Sequence, residues 1–266
     1  MMDNSNCFEL KTMQSRAFKT LIESLKDILT ECNMEITPEG LHINQLDNKK
    51  TSLVYLKLHS SKFKHFECDV NILNLGINLD NFYKIIKTMT DTNILLLYVK
   101  NDDRSKLGIT IYKEHKITNY KLKLYDIDPS ELPKLDEENI DVLIRMPSVD
   151  FKKICADMTI LCCKYMEIKV FESTLYLNCE SDFAEQETII EPSDDGISIN
   201  YNNEQNKNSL IQLKYCLNKL TTFSKCSGLN TTVEIFLKND FPIILKYNVG
   251  SLGTISLCLS PTLEED

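Results

Sequence analysis

The side chains in this chain that most often carry out chemistry are ten cysteines and four histidines. The histidines lie on strand-like or loop segments, and none has a carboxylate or a cysteine at the spacing of a catalytic or metal site. We therefore interpret them as strand or surface residues: His42, His59, His65 and His115.

The cysteines do not follow the spacing of a metal site or of a disulfide framework. There is no C-x-x-C, and the one close pair, Cys162-Cys163, is adjacent in sequence. Others, such as Cys155, Cys216 and Cys258, fall among apolar residues. This usage is typical of small core residues in a reducing compartment, so we expect no bound metal.

Motifs for hydrolysis and nucleotide binding are absent from the sequence. The seven glycines form no G-x-S-x-G or G-x-x-x-x-G-K-[ST], and no H-E-x-x-H occurs. The acidic pairs Asp102-Asp103 and Asp194-Asp195 could bind a divalent ion, but their composition is typical of solvated turns. We predict that the protein is not an enzyme and needs no cofactor.

Positive charge is concentrated on four segments with helical periodicity. The chain has a formal net charge of −9 and a pI near 5.1. Nevertheless the predicted helices, 15–30, 79–90, 148–161 and 209–225, hold ten basic and five acidic residues. Such helices can form a surface that contacts DNA phosphates without reading bases, while the acids elsewhere repel DNA. The alternative is an ordinary solvated face on each helix.

The two halves of the chain repeat one pattern of strands and helices. Residues 13–25, MQSRAFKTLIESL, correspond to 146–158, MPSVDFKKICADM, at an offset of 133, and residues 77–87 correspond to 211–221 at an offset of 134. Chance similarity of amphipathic helices is the alternative to duplication. The pattern predicts an α+β fold of two similar domains, each with two helices packed on antiparallel sheets.

An acidic, proline-containing stretch separates the halves. It holds Pro129 and Pro133 among acids, which is typical of an extended, solvated connector. We predict an N-terminal domain at 1–123, a connector at 124–140 and a C-terminal domain at 141–266. The sequence has no apolar run long enough to span a membrane and no signal-peptide pattern, so we expect a soluble, intracellular protein.

Six segments resemble the proliferating cell nuclear antigen family of DNA sliding clamps: FKTLIESLKDIL (18–29), GLHINQLDNKKTSLVYLKL (40–58), FECDVNILNLGINLDNFYKIIK (66–87), YKLKLYDID (120–128), MPSVDFKKICADM (146–158) and LSPTLEED (259–266). Residues 160–210 match poorly, which favours a divergent viral or protist member. The resemblance implies a homotrimeric ring that encircles duplex DNA, with sheets outside and helices inside.

The resemblance also implies roles and partners. The protein would be a processivity factor for a DNA polymerase, opened by a clamp-loader ATPase, and would dock ligase and nuclease peptides in the nucleus or at a cytoplasmic viral replication site. The DNA-facing residues would be Lys19, Lys26, Lys84, Lys87, Lys116, Lys153 and Lys225. The trimer contact would use Tyr120, Leu122, Gln186 and Ile190, and the peptide pocket Leu46, Leu53, Leu132, Leu135, Pro242 and Pro261.

The sequence departs from the family pattern in two places. Ala156 stands where the third helix of the family has an arginine, and Leu257-Cys258 replaces the aromatic residues that usually precede the final L-x-P. We therefore expect weaker DNA contact from that helix and weaker binding of aromatic-anchored peptides. Two other functions stay open: a subunit of a heterotrimeric damage-checkpoint clamp, and a thiol-dependent enzyme that uses one of the cysteines.

Overall fold

The computed structural model describes residues 6–127, 132, 140–194, 196–203 and 209–262. The chain divides into two compact units. The first comprises 1–48, 54–133 and 248–255, and the second comprises 49–53, 134–247 and 256–266. The sequence-based boundaries at 124 and 140 stay predictions, since most of the connector lies outside the described residues.

The N-terminal half of the chain contains nine strands and two helices in the described residues. They are β1 (Asn6–Thr12), α1 (Ser15–Lys26), β2 (Glu31–Thr37), β3 (Gly40–Leu46), β4 (Ser52–His59), β5 (His65–Cys68), β6 (Leu73–Asn78), α2 (Leu79–Ile86), β7 (Ile94–Lys100), β8 (Lys106–Lys113) and β9 (Lys116–Lys123).

The C-terminal half repeats this composition in its described residues. Its elements are β10 (Val142–Pro147), α3 (Ser148–Ile160), β11 (Tyr165–Phe171), β12 (Thr174–Glu180), β13 (Glu185–Ile190), β14 (Ser198–Tyr201), β15 (Ile211–Cys216), α4 (Leu217–Ser224), β16 (Thr232–Leu237), β17 (Ile243–Val249) and β18 (Gly253–Leu259).

Each unit is built from antiparallel strands under a pair of helices, which confirms the predicted fold class. In the first unit the strand orders are β5-β1-β7-β8-β9 and β4-β3-β2-β6, and α1 contacts α2. In the second unit the orders are β13-β12-β11-β15 and β14-β10-β16-β17-β18, and α3 contacts α4. The sheets bury alternate apolar residues, as the burial pattern iBiBiB of β12 illustrates.

The helical periodicity of 15–30 predicts an apolar stripe on one side of α1, and this stripe faces the core of the first unit. Phe18, Leu21, Ile22 and Leu25 are all buried, and the ring of Phe18 meets that of Phe82 on α2 edge to face at 6.3 Å. In the second unit Phe151, Cys155 and Met158 bury the matching face of α3. Burial of these faces stabilises each helix more than its propensity does.

Two local predictions were wrong. The residue type of Ser15 predicts an N-cap for the helix at 15–30, but Ser15 is the first residue of α1 and Gln14 occupies the N-cap position. The Ser15 hydroxyl instead donates to the carbonyl oxygen of Asn93 at 2.5 Å. The predicted helix at 209–225 is a strand over Ile211–Cys216, which pairs with β11, and the helix begins only at Leu217. An offset of 134 aligns Leu79, the start of α2, with Leu213 in the middle of that strand. Both halves therefore contain a strand followed directly by a helix, but the offset of 134 places the start of the second helix at Leu213 and not at Leu217.

Candidate nucleic-acid interface

The solvent side of α1 and α2 carries the basic residues of the first unit. Lys84 and Lys87 are exposed, while Lys19 and Lys26 are half-buried. The Lys19 ammonium donates to the carbonyl oxygen of Met89 at 2.7 Å, so it is directed toward the loop after α2. Lys84 Nζ lies 3.5 Å from Asn81 Oδ1, which is the upper limit for a hydrogen bond. The helix pair therefore presents two exposed ammonium groups next to two that are held by the protein.

Lys26 is the most constrained of these cations. Its Nζ lies 2.6 Å from Asp27 Oδ1 and 5.4 Å from the centroid of the Tyr83 ring. The hydrogen bond to Asp27 raises the pKa of Lys26 against the opposing effect of burial. Tyr83 in turn donates to the Glu23 carboxylate at 2.6 Å, which raises the pKa of the phenol to about 12. Lys26 is thus charged but partly neutralised before any ligand arrives.

The helix pair of the second unit has the same kind of surface. Lys153 is exposed on α3, and Lys225 is exposed at the C-cap of α4. The two helices meet through the hydroxyls of Thr159 and Thr221, 3.1 Å apart. Ala156 is exposed on α3, so it offers surface without charge at this position.

The charge bias of the helices is smaller than the sequence suggested. The four helices hold seven basic and four acidic residues, because Lys87 and Lys225 are C-caps and Lys214 lies on β15. Two exposed basic residues that the sequence-based assignment left out, Arg16 and Lys152, lie on α1 and α3. The helical periodicity of the sequence around these two residues could have identified them as solvent-facing. Arg16 is 3.3 Å from Asp91 in a largely solvated pair.

Lys116 does not lie on a helix. It is the first residue of β9, exposed, and opposite Lys113 in the β8–β9 hairpin. Contacts between α2 and β9 within the first unit nevertheless bring this strand next to the basic helix pair.

Strands β9 and β13 end the sheets to which they belong. β9 is the last strand of its sheet, after β8, and β13 is the last of its own, after β12. Both expose large apolar side chains, Ile117 at 62% and Ile189 at 55%. Of the predicted trimer residues, three are half-buried: Tyr120, Gln186 and Ile190. Leu122 is buried within its own unit, with 8% of its surface exposed. Such edges are open to pairing with another chain.

The predicted peptide-pocket residues fall in different parts of the structure. Leu53 packs against a cluster of the second unit formed by Ile140, Phe236, Ile244 and Cys258. Pro242 and Pro261 are half-buried in that same unit, and Leu46 and Leu132 are half-buried in the first. Leu135 lies outside the described residues.

Comparisons with known proteins cover nearly the whole chain. Residues 7–132 match the N-terminal domain of proliferating cell nuclear antigen, and residues 134–262 match its C-terminal domain. This chain belongs to the proliferating cell nuclear antigen family.

Two relatives of the proliferating cell nuclear antigen family illustrate the match. "Probable DNA polymerase sliding clamp 1" of Paramecium bursaria Chlorella virus 1 is 36% identical over 268 residues, which cover 99% of this chain and 100% of that protein. The crystal structure of proliferating cellular nuclear antigen from Entamoeba histolytica superposes on this chain with a TM-score of 0.86 at 25% sequence identity. The match covers 97% of this chain and 100% of the Entamoeba chain. The resemblance inferred from six sequence segments is confirmed.

The departure from the proliferating cell nuclear antigen pattern at Leu257-Cys258 falls on buried positions. Leu257 is fully buried, and Cys258 is 6% exposed beside Phe236 and Ile244. A leucine and a cysteine thus fill the interior at the positions where an aromatic pair would bring larger rings. Among the described residues, no helix is long and apolar enough to span a membrane, and no three His, Cys, Asp or Glu side chains converge as metal ligands would.

Proposed function

We propose that this chain is a DNA sliding clamp, a homotrimeric ring that encircles duplex DNA and tethers a polymerase to its template. The observation that carries the proposal is the presence of one lysine-bearing helix pair in each unit of an acidic chain of this family. The name of the viral relative, a probable DNA polymerase sliding clamp, supports the same function. The protein would act as a scaffold and not as an enzyme.

The proposed DNA contacts are individually weak and independent of sequence. Ammonium groups of Lys19, Lys26, Lys84, Lys87, Lys116, Lys153 and Lys225 would meet phosphates and exchange between them, which permits sliding. The remaining acidic surface would disfavour DNA anywhere else.

The decisive experiment compares retention on circular and linear DNA after loading by a clamp-loader ATPase. A ring should stay on the closed circle and run off the free ends of the linear duplex. Blocking both ends of the linear DNA with bound protein should restore retention. Equal loss from circle and open linear duplex would refute topological binding.

The proposed ring closes by addition of β9 of one copy to β13 of the next, a head-to-tail contact that can form a closed ring. Both strands end their sheets and expose apolar residues, which supports this pairing. Sedimentation should give three copies of the chain for the protein alone. A species that assembles only when co-expressed with different subunits would instead support a heterotrimeric checkpoint clamp.

Substitution of the proposed interface tests the contact directly. Ile190→Lys and Tyr120→Ala should each shift the protein toward monomer, while Ile72→Lys, an exposed residue before β6, should not. Circular dichroism on each variant separates loss of assembly from loss of fold. An unchanged trimer in both interface variants would exclude this strand pairing.

We further propose that replication proteins dock short peptides on an apolar surface that includes Leu46, Leu53, Leu132, Leu135, Pro242 and Pro261. The packing of Leu53 on the Phe236 cluster supports an apolar surface in the second unit. Titration calorimetry should show weaker binding of an aromatic-anchored peptide to this protein than to a family member with aromatic residues at the positions of Leu257-Cys258. The site of action would be the nucleus or a viral replication compartment.

A further inference from the structure

Two cysteine thiols of the second unit lie within contact distance of each other. Cys163 Sγ is 2.8 Å from Cys179 Sγ, although the residues are 16 positions apart. Cys179 is 7% exposed on the inner face of β12, and Cys163 is half-buried. All ten cysteines lie in the described residues, and none forms a disulfide. Sulfurs at this separation need only a small approach to reach the length of about 2.05 Å of a disulfide bond.

The turn after α3 brings Cys163 to this position. α3 ends at Ile160, and Cys162 has a left-handed backbone with φ 62° and donates its N–H to Thr159 O at 3.0 Å. This reversal leads the chain past Cys163 into β11. The neighbouring thiol of Cys162 is exposed, and its sulfur lies 3.8 Å from the carbonyl oxygen of Ile160. Adjacent cysteines therefore have different environments.

Cys179 is held as a protonated thiol by its surroundings. Burial, followed by its contact with Cys163, raises its pKa to about 12. It does not act as the first nucleophile at neutral pH, since only the thiolate attacks a disulfide. Cys163 is the more exposed of the two thiols, which makes it the better candidate for the first attack.

An open cleft of about 990 Å³ gives small molecules access to this region. Cys162 and Cys179 line it, whereas Cys163 adjoins it through its 2.8 Å contact with Cys179. Five carboxylates and two ammonium groups share its wall, so an anionic reagent is repelled: Glu167, Glu180, Asp182, Glu185, Glu187, Lys164 and Lys214.

We propose that Cys163 and Cys179 form a reversible intramolecular disulfide when the protein meets a small-molecule disulfide oxidant. The Cys163 thiolate attacks one sulfur of the reagent, forms a mixed disulfide and releases one reagent thiolate. Cys179 then loses its proton and attacks Cys163 Sγ, which releases the second reagent thiolate. Two cysteine thiols are oxidised to one disulfide, and their two protons and two electrons leave with the reagent as two thiols.

The linkage would fasten the turn after α3 to β12, the strand whose Cys179 lies opposite Gln186 of β13. In a reducing compartment both thiols stay reduced, and the bond forms only under oxidation. Because the reaction needs only the second unit, it occurs whether or not the chain forms a ring on DNA, and the two proposals can fail separately.

The test uses bis(2-hydroxyethyl) disulfide, a neutral oxidant suited to the acidic cleft, with the whole protein in the absence of DNA. Remaining thiols are alkylated, and tryptic peptides are mapped without reduction. We expect the intact mass to fall by two hydrogens and a link between the peptide with Cys163 and the peptide with Cys179. The link should disappear in Cys163→Ser and Cys179→Ser and persist in Cys162→Ser, the matched control on the same peptide.

A link that disappears in Cys162→Ser, or mixed disulfides without an internal link, would overturn the proposal. Thermal unfolding gives a second measurement that does not depend on the buried Cys179→Ser variant. The bond closes a loop of about 17 residues, so oxidation should raise Tm by about 5 °C or more, reversibly with dithiothreitol. The same treatment should leave the Tm of Cys163→Ser unchanged; a lower Tm for the oxidised wild type would show that the fold does not accommodate the bond.

Discussion

At the scale of single residues, the proposed DNA contacts depend on what already neutralises each lysine. Lys84 and Lys153 are exposed, whereas the Lys26 ammonium is shared between the Asp27 carboxylate and the face of Tyr83. A cation that is already paired gains less from a phosphate, because its bond to the carboxylate must weaken first. The lysines of one helix pair therefore do not contribute equally.

Removal of the Asp27 carboxylate should strengthen DNA binding. In Asp27→Asn the Lys26 ammonium keeps its charge and loses its competitor, so the affinity should rise and the slope of log K against log salt should steepen by up to about one. Fluorescence anisotropy on a short duplex measures both. Asp182→Asn, an exposed acid of the second unit, changes the net charge equally and should have little effect. Equal gains in the two variants would show a net-charge effect and not release of Lys26.

The ion pair of Lys26 also predicts a pH dependence. Because the Lys26 pKa is raised in the folded state, the pair stabilises the protein below the unfolded pKa of about 10.5 and loses that contribution as the pH rises through the folded value. The difference in unfolding free energy between wild type and Asp27→Asn should therefore shrink in alkaline solution. Denaturation at pH 8 and above pH 11 tests the trend, with Asp182→Asn as the control. A constant difference would contradict the pairing.

Asp103 should titrate well below an ordinary aspartate. Hydrogen bonds from Lys106 at 2.6 Å and from Ser105 lower the pKa of its carboxyl from 3.8 to about 2. The carboxylate therefore keeps its favourable interactions above pH 3.8 and loses them as the pH falls through about 2. NMR titration should give this value and a rise toward 3.8 in Lys106→Ala. An unmoved pKa would mean that Ser105 alone is sufficient.

At the scale of elements, a close backbone approach holds the chain segment that follows β9. Tyr125 donates its N–H to the carbonyl oxygen of Gly76 on β6 at 2.8 Å. A Cβ on Gly76 would lie 2.1 Å from the carbonyl oxygen of Tyr125, so only glycine lets the two backbones meet. This bridge fixes the first residues of the predicted connector within the first unit.

Gly76→Ala should release that segment. The added methyl group must displace backbone, and we expect a loss of about 1–3 kcal/mol in unfolding free energy. Hydrogen exchange at the Tyr125 amide should accelerate more than exchange across the rest of β6. Asn74→Ala, an exposed change on the same strand, is the control. Protection at Tyr125 equal to that of the wild type would disprove the role of the bridge.

At the scale of the whole molecule, the proposed clamp contacts DNA through the helix pairs of both units. The proposal therefore predicts similar effects from Lys84→Glu and Lys153→Glu, one on each helix pair. Because both lysines are exposed, neither change should alter folding.

Each substitution should weaken DNA binding on random and defined sequences alike, and the double variant should show both losses. Lys100→Glu, exposed at the end of β7, is the matched charge control. Anisotropy at several salt concentrations should show a slope reduced by about one for each lysine lost. An effect confined to one helix pair would mean that only that unit contacts DNA.

The sequence by itself determined the fold class, the family and most helix positions. The apolar periodicity of 15–30 and 148–161 and the segments shared with the family are local properties, and local patterns are readable without coordinates. Burial of the predicted stripe, from Phe18 to Leu25, follows directly from that periodicity.

Only the tertiary structure decided the strand Ile211–Cys216, the neutralisation of Lys26 and the meeting of Cys163 with Cys179. The strand forms because β11 supplies hydrogen-bond partners from a distant part of the chain, which overrides the helical spacing of Leu213, Leu217 and Leu220. The aromatic face over Lys26 comes from another helix, and the two sulfurs come from a turn and a strand. Such contacts depend on which elements become neighbours in space, and a one-dimensional pattern does not contain that information.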